Sequence, residues 1–142
     1  LALAESITGG LIAARLAAVA GASRVLKGGA VVYSAEAKAV FADLDPAFIR
    51  EHGTVSEAVT RALAERLRAK LGATWGLSVT GNAGPGEDPA GPAPVGTTFI
   101  ALAGPDGTRC LHPMQAGDRA DMQMRAVMYG LDLLRREVLK GL

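Results

Sequence analysis

Ser6 and Thr8 stand in the segment Glu5-Ser6-Ile7-Thr8-Gly9-Gly10, between a short apolar run and the first stretch with helical spacing. A hydroxyl at a strand-to-helix turn has two physical uses. It can cap the helix by accepting from a backbone N–H. It can also serve as a nucleophile, with the unpaired N–H groups of the helix start holding an anion or the oxyanion of an acyl-transfer intermediate. Nucleophilic use requires a base within reach. Only His52 and His112 are available for a Ser-His pair. One falls in a turn beside Gly53 and the other late in a strand, and neither position leads to Ser6. Lys38, in Tyr33-Ser34-Ala35-Glu36-Ala37-Lys38, offers another route. A lysine whose amine is made neutral by burial can take a serine proton. The competing reading makes Lys38 a solvated helix residue paired with nearby acids.

Two further segments carry chemistry. Residues 79–86 (VTGNAGPG) run into a Gly- and Pro-rich stretch that ends at Pro94-Val95-Gly96-Thr97. Glycines let backbone N–H groups approach a ligand, and a long loop without regular structure in a compact domain is often functional. No Gly-Lys-Ser/Thr follows, so it is not a phosphate-binding P-loop. The alternative is a flexible surface loop. Residues 117–125 open the last helix, where Arg119 or Arg125 could grip a phosphate with its forked guanidinium or simply face solvent.

These segments need a framework, and hydrophobic periodicity supplies one. Residues 1–4 read as the end of a buried strand. Leu11, Ile12, Leu16 and Val19 mark a helix that Gly21 stops. Residues 29–34 (GAVVYS) form a strand, and residues 36–44 a helix closed by Asp45-Pro46. Ser56 caps a helix whose face is Val59, Leu63, Leu67 and Leu71. Residues 74–80 form a strand and residues 81–94 the long loop. Residues 95–103 and 108–114 pair as a hairpin across Gly104–Gly107. The last helix covers about 118–140, with Met124, Val127, Met128, Leu131, Leu134 and Val138 as its apolar face. One hairpin among crossovers, with enough helix to cover both faces, predicts a three-layer α/β/α sandwich with a mixed sheet. If the first two strands are neighbours, Tyr33 and Lys38 approach Ser6.

The bulk numbers bound the answer. The chain has 142 residues, 49% of them apolar, which suits a single domain over residues 1–142 with a full core. The first residue is Leu, which is consistent with a piece of a longer chain. Fifteen basic and fourteen acidic residues give a net charge of +1, no footprint for nucleic acid. No apolar run is long enough to span a membrane. One cysteine, Cys110, and two histidines make a poor zinc set, so neither metal nor cofactor is expected, and the expected setting is the reducing cytoplasm.

Taken in order, Ala4-Glu5-Ser6-Ile7-Thr8-Gly9-Gly10, Gly28-Gly29 through Tyr33-Ser34 with Glu36-Ala37-Lys38, His52-Gly53 with Val55-Ser56, Val79-Thr80-Gly81 with Ala83-Gly84-Pro85-Gly86, Pro94-Val95-Gly96-Thr97 and Gly117-Asp118-Arg119 resemble the motif set of the CinA C-terminal domain family over nearly the whole chain. The resemblance implies a metal-independent amidohydrolase that converts nicotinamide mononucleotide to nicotinate mononucleotide and ammonia. It implies Ser6 as nucleophile, Lys38 as general base and Tyr33 as an aid to proton transfer. Thr8, Gly9, Gly10, Thr80, Gly81, Asn82, Ala83, Gly84 and Gly86 would bind substrate, and Arg119 or Arg125 its phosphate. The partner expected is a small-molecule nucleotide, not nucleic acid or membrane, and a homo-oligomer is the expected assembly. The chain departs from the family pattern at Ile7, Ala35, Asn82 and Gln123 and in the acidic pair Glu87-Asp88. Gln123 stands where the family often has Arg, which shifts the expected phosphate contact toward Arg125. The alternatives are a non-catalytic nucleotide-binding or regulatory domain and a partner of DNA-uptake proteins. The near-neutral charge speaks against direct DNA contact.

Overall fold

In the computed structural model, which describes residues 1–89 and 91–140, the strands β1 (Ala2–Glu5), β2 (Gly28–Val31), β3 (Gly76–Gly81), β4 (Thr98–Gly104) and β5 (Gly107–Leu111) form one sheet in the order β2-β1-β3-β4-β5. The expected domain and long loop extend over Ala90, Gly141 and Leu142, which lie outside the described residues. β1 pairs in parallel with both β2 and β3, while β3–β4 and β4–β5 are antiparallel. The sheet is therefore mixed, as the single hairpin required.

Helices cover both faces because β1 and β3 sort their side chains by alternation. Ala2 and Ala4 turn toward a cluster with Val59, Leu63 and Leu67 of α4 (Glu57–Lys70), joined by Ala42 of α2 (Ala35–Ala42) and Ile49 of α3 (Pro46–His52). Leu3, Leu77 and Val79 turn the other way, toward Ile12 of α1 (Leu11–Ala17) and Ala126, Val127 and Leu133 of α5 (Arg119–Leu139). This is the three-layer α/β/α sandwich. On the α4 face, β3 carries small and hydroxylic residues. Ser78 donates to the Thr60 carbonyl at 2.5 Å, and the Thr60 and Thr80 hydroxyls meet at 2.7 Å. These bonds satisfy polar groups that a fully buried strand would otherwise strand without partners.

Several element ends differ from the sequence expectation. α1 ends at Ala17 rather than at Gly21, and Val19 is left exposed in a turn that leads to a 3-10 segment, Ala22–Arg24. Asp45-Pro46 does not close a helix but starts one. The Asp45 side chain accepts from Ala47 N, and Pro46 occupies the first turn, where its missing N–H costs nothing. His52, expected in a turn, is the last residue of α3. β4 begins at Thr98 rather than Val95, and β5 ends at Leu111, with an isolated Thr97–Met114 bridge beyond it. The face of α5 is also rotated. Met122, Ala126, Val127 and Leu133 are buried, Met124, Leu131 and Leu134 are half-buried, and Met128 and Val138 are exposed. At Gly130 a Cβ would sit 3.4 Å from Ile12 and 3.5 Å from Leu77, so small residues, not the largest apolar ones, face the sheet.

Candidate active site

The parallel β1–β2 pair puts the ends of both strands side by side, with Glu5 opposite Val31. Chain leaving β1 gives Ser6, and chain leaving β2 gives Tyr33 and then Lys38 on the first turns of α2. The result is a buried pair: Lys38 Nζ lies 3.3 Å from Ser6 Oγ and donates to the Val32 carbonyl at 2.8 Å. Lys38 is 1% exposed. Burial pushes its amine down to about 8, against the pull of the Asp88 carboxylate in the other direction. An amine lowered this far reaches its neutral, proton-accepting form much nearer to neutral pH than a free lysine does.

Who caps α1 decides what Ser6 is free to do. Neither Ser6 nor Thr8 caps it. Glu5, 2% exposed at the end of β1, reaches over the turn instead. Its Oε2 accepts from Gly10 N at 3.2 Å, Ile12 N at 3.0 Å and the Thr8 hydroxyl at 2.6 Å, and its Oε1 accepts from Ala13 N at 2.8 Å. Gly9 and Gly10, with φ of 58° and 101°, make the tight left-handed turn that brings those amides back to the carboxylate. The expected use of the helix start for an oxyanion is thereby corrected, because the first-turn N–H groups are already occupied. The amides of Ile7 and Thr8, in the turn itself, have no hydrogen-bond partner among the described residues. The Ile7 carbonyl is held by Gln123 Nε2 at 3.0 Å. Gln123 thus anchors the turn that carries Ser6.

A pocket of about 230 Å³ opens above Ser6. Of the residues expected from the sequence, Ser6, Tyr33, Lys38, Gly81, Asn82, Ala83, Gly84, Gly86 and Arg119 line it. Thr8, Gly9, Gly10, Thr80 and Arg125 do not. Thr8 is tied to Glu5 and Thr80 to Thr60. Arg125 donates to the Ala116 carbonyl, and its buried Nε has no partner among the described residues. Arg119 spans the rim, donating to the Gly84 carbonyl at 2.7 Å and to the Tyr33 hydroxyl at 2.8 Å. Asn82 is a strut: its side chain donates to the Gly86 and Ala93 carbonyls and accepts from Gly84 N, each at 2.8 Å. The sequence reading named no site residue in the turn between α3 and α4, yet Thr54 and Val55 form a wall. Nor did it give Glu5 a role. An acid in an otherwise apolar strand, just before a Gly-Gly turn, was the available signal.

Other candidates fall away on geometry. His52 and His112 line a separate cavity of about 410 Å³, beside Phe99, on which His112 stacks at 4.0 Å. A roomier cavity, about 630 Å³, is walled mainly by apolar residues such as Leu16, Val19, Trp75 and Leu134. Burial pushes the Cys110 thiol up to about 11, far from thiolate chemistry. Among the described residues no group of three His, Cys, Asp or Glu is placed to hold a metal ion, and no helix is long and apolar enough to cross a membrane.

Residues 1–138 match the family described as the CinA C-terminal domain. The chain belongs to that family. Curated relatives include a CinA-like protein of Frankia casuarinae, 48% identical over all of this chain and 32% of its own length. Another CinA-like protein, from Acidobacterium capsulatum, is 45% identical over 98% of this chain and 33% of its own. The chain therefore spans about a third of the length of these relatives. Among solved structures, the competence damage-inducible protein A of Klebsiella pneumoniae superposes with a TM-score of 0.91 at 32% identity, covering 97% of this chain and 85% of that one. A CinA superfamily protein of Escherichia coli gives 0.88 at 26% identity, covering 94% and 77%. Within this CinA-family chain, parts of the motifs at the ends of β1 and β2, in the turn before α4, in the long loop and at the start of α5 line the pocket.

Proposed function

We propose that this CinA-family domain is an amidohydrolase that cleaves the carboxamide of nicotinamide mononucleotide to nicotinate mononucleotide and ammonia, using Ser6 and Lys38. The observation that carries the reading is the buried Lys38 amine, 3.3 Å from the Ser6 hydroxyl in a pocket open to solvent. Burying an amine disfavours its charged form and costs stability, and a perturbed group of this kind in a cleft supports a functional reading.

The chemistry follows from the inventory. Neutral Lys38 takes the Ser6 proton as Oγ attacks the amide carbon. The negative charge on the former carbonyl oxygen is met by the amide of Ile7, which lines the pocket beside Ser6. As the C–N bond breaks, Lys38 returns the proton to the leaving nitrogen, and ammonia departs. An acyl ester remains on Ser6. Water, deprotonated by Lys38, attacks the ester, and the acid leaves as Ser6 regains its proton. Arg119 uses two N–H groups on Gly84 and Tyr33, and its remaining donors are available to the phosphate. Tyr33, half-exposed on the same rim, places its hydroxyl beside that guanidinium.

The test is ammonia release from nicotinamide mononucleotide without added metal. Ser6→Ala and Lys38→Ala should each lower the rate by about a thousandfold or more, with folding retained. Because the base works only when neutral, the rate should rise with pH up to about 8 and then level off. A folded wild type that binds the nucleotide without releasing ammonia would instead make this a binding domain.

A further inference from the structure

The wall that the long loop contributes to the pocket is acidic, since both Glu87 and Asp88 line it. The two are not equivalent. Glu87 is exposed, and solvent screens its charge. Asp88 is half-buried and fixed. Thr54, a buried residue of the turn between α3 and α4, donates its hydroxyl to Asp88 Oδ2 and lines the same pocket. The Asp88 backbone is closed into a turn by Gly91 N, which donates to the Asp88 carbonyl at 3.2 Å. The Asp88 carboxylate also lies close enough to Lys38 to act on its charge. A fixed anion at this place repels a phosphate, gives nothing to a neutral ring, and attracts a positive charge held near the reacting carbon.

We infer that the Thr54-held Asp88 carboxylate is a specificity-determining group, selecting a carboxamide borne on a positively charged ring, such as an N-substituted pyridinium, over a neutral ring of the same shape. The inference rests on the amidohydrolase reading for placing the carboxamide at Ser6. The other charged and titratable groups facing this space are Lys38 from α2, Glu87 from the loop, Arg119 from α5 and Tyr33 beyond β2. Glu5, next to Ser6, spends its carboxylate on the amides of α1. Asp88 is thus an anchored anion of the pocket wall, and it offsets the repulsion that a cationic ring meets from Arg119. A phosphate at the Arg119 rim and a cation at Asp88 together describe a zwitterionic nucleotide.

The experiment compares nicotinamide mononucleotide with its 1,4-dihydro form, which has the same phosphate and ribose but an uncharged ring. Ammonia release gives kcat/KM for each, in wild type, Asp88→Asn, Thr54→Val and Glu87→Gln. The wild type should prefer the charged ring by about tenfold or more. Asp88→Asn should cut that preference by about tenfold, through loss on the charged ring alone. Thr54→Val should fall between, and Glu87→Gln should move the ratio by less than about twofold. An unchanged ratio in Asp88→Asn, or an equal loss on both rings, overturns the inference. Calorimetric affinities of Ser6→Ala, alone and combined with Asp88→Asn, decide the matter without turnover. If no ammonia forms from either ring, the amidohydrolase reading fails. A preference for the charged ring in Ser6→Ala, lost in the double variant, still upholds the role of Asp88. Equal affinity for the two rings, or none for either, overturns it.

Discussion

Ser6 and Ser56 are both serines on the approach to a helix, and they have opposite fates. Ser56 does what a serine before a helix ordinarily does: its hydroxyl accepts from Val59 N at 3.2 Å and donates to the Gly53 carbonyl at 3.0 Å. Ser34 caps α2 in the same way, accepting from Ala37 N at 3.1 Å. Ser6 is released from this duty because Glu5 reaches over from the strand to satisfy Gly10, Ile12 and Ala13. Its hydroxyl is left with a lysine for company. The difference is not in the serine or in the helix but in which neighbour takes the orphan amides. A hydroxyl spent on a cap is structural, and a hydroxyl spared from one is available for chemistry.

The comparison can be broken at four places. The largest effect should come from Ser6→Ala, which abolishes turnover while changing stability by less than about 1 kcal/mol, since no cap is lost and only the long Lys38 contact goes. Denaturant unfolding beside the ammonia assay checks both halves. A drop of 2 kcal/mol or so, as a lost structural hydrogen bond would give, refutes the division of labour. Next is Glu5→Ala, which leaves three amides and the Thr8 hydroxyl without their acceptor. It should cost about 3 kcal/mol or more. Glu5→Gln, which keeps one acceptor oxygen, should recover part of that.

Lys38→Met comes third and has the opposite sign. Replacing a buried amine by an apolar chain of similar length should stabilise the fold by about 1–3 kcal/mol near neutral pH while ending catalysis. The sign follows from linkage. The amine is held down from 10.5 to about 8, so the unfolded chain binds the proton more readily. The cost is full below pH 8 and fades as pH rises toward 10.5, and the advantage of methionine should fade with it. The smallest effect belongs to Ser56→Ala, a loss of about 1 kcal/mol from α4, visible in thermal melts with ammonia release nearly intact.

The sequence made the layers readable because they rest on periodicity and size. Val59, Leu63 and Leu67 recur at one helical face, and the three are buried in α4 as a stripe of that kind must be. The Ser6–Lys38 approach was readable too, since it needs only that β1 and β2 be neighbours. What escaped was decided by shape or by long-range contact. The stripe on α5 was misread because hydrophobicity favoured Met128 and Val138, whereas close approach to the sheet favoured Ala126 and Gly130. α3 escaped because Asp-Pro signals a stop and a start equally well. Asn82, expected to bind substrate, and Gln123, read only as a departure from the family pattern, have bracing roles in the fold: one braces the loop and the other anchors the turn that carries Ser6. Gln123 meets a carbonyl 116 positions away, and Asn82 ties its own loop to Ala93, 11 positions on.

The Glu5 cap has a bearing on how such a domain changes over generations. Because the helix start depends on the strand's carboxylate and not on the neighbouring hydroxyl, a substitution at Ser6 leaves the architecture standing. Under the proposed reaction, a lineage can shed turnover in one such step, keep the pocket, and be selected afterwards for binding alone.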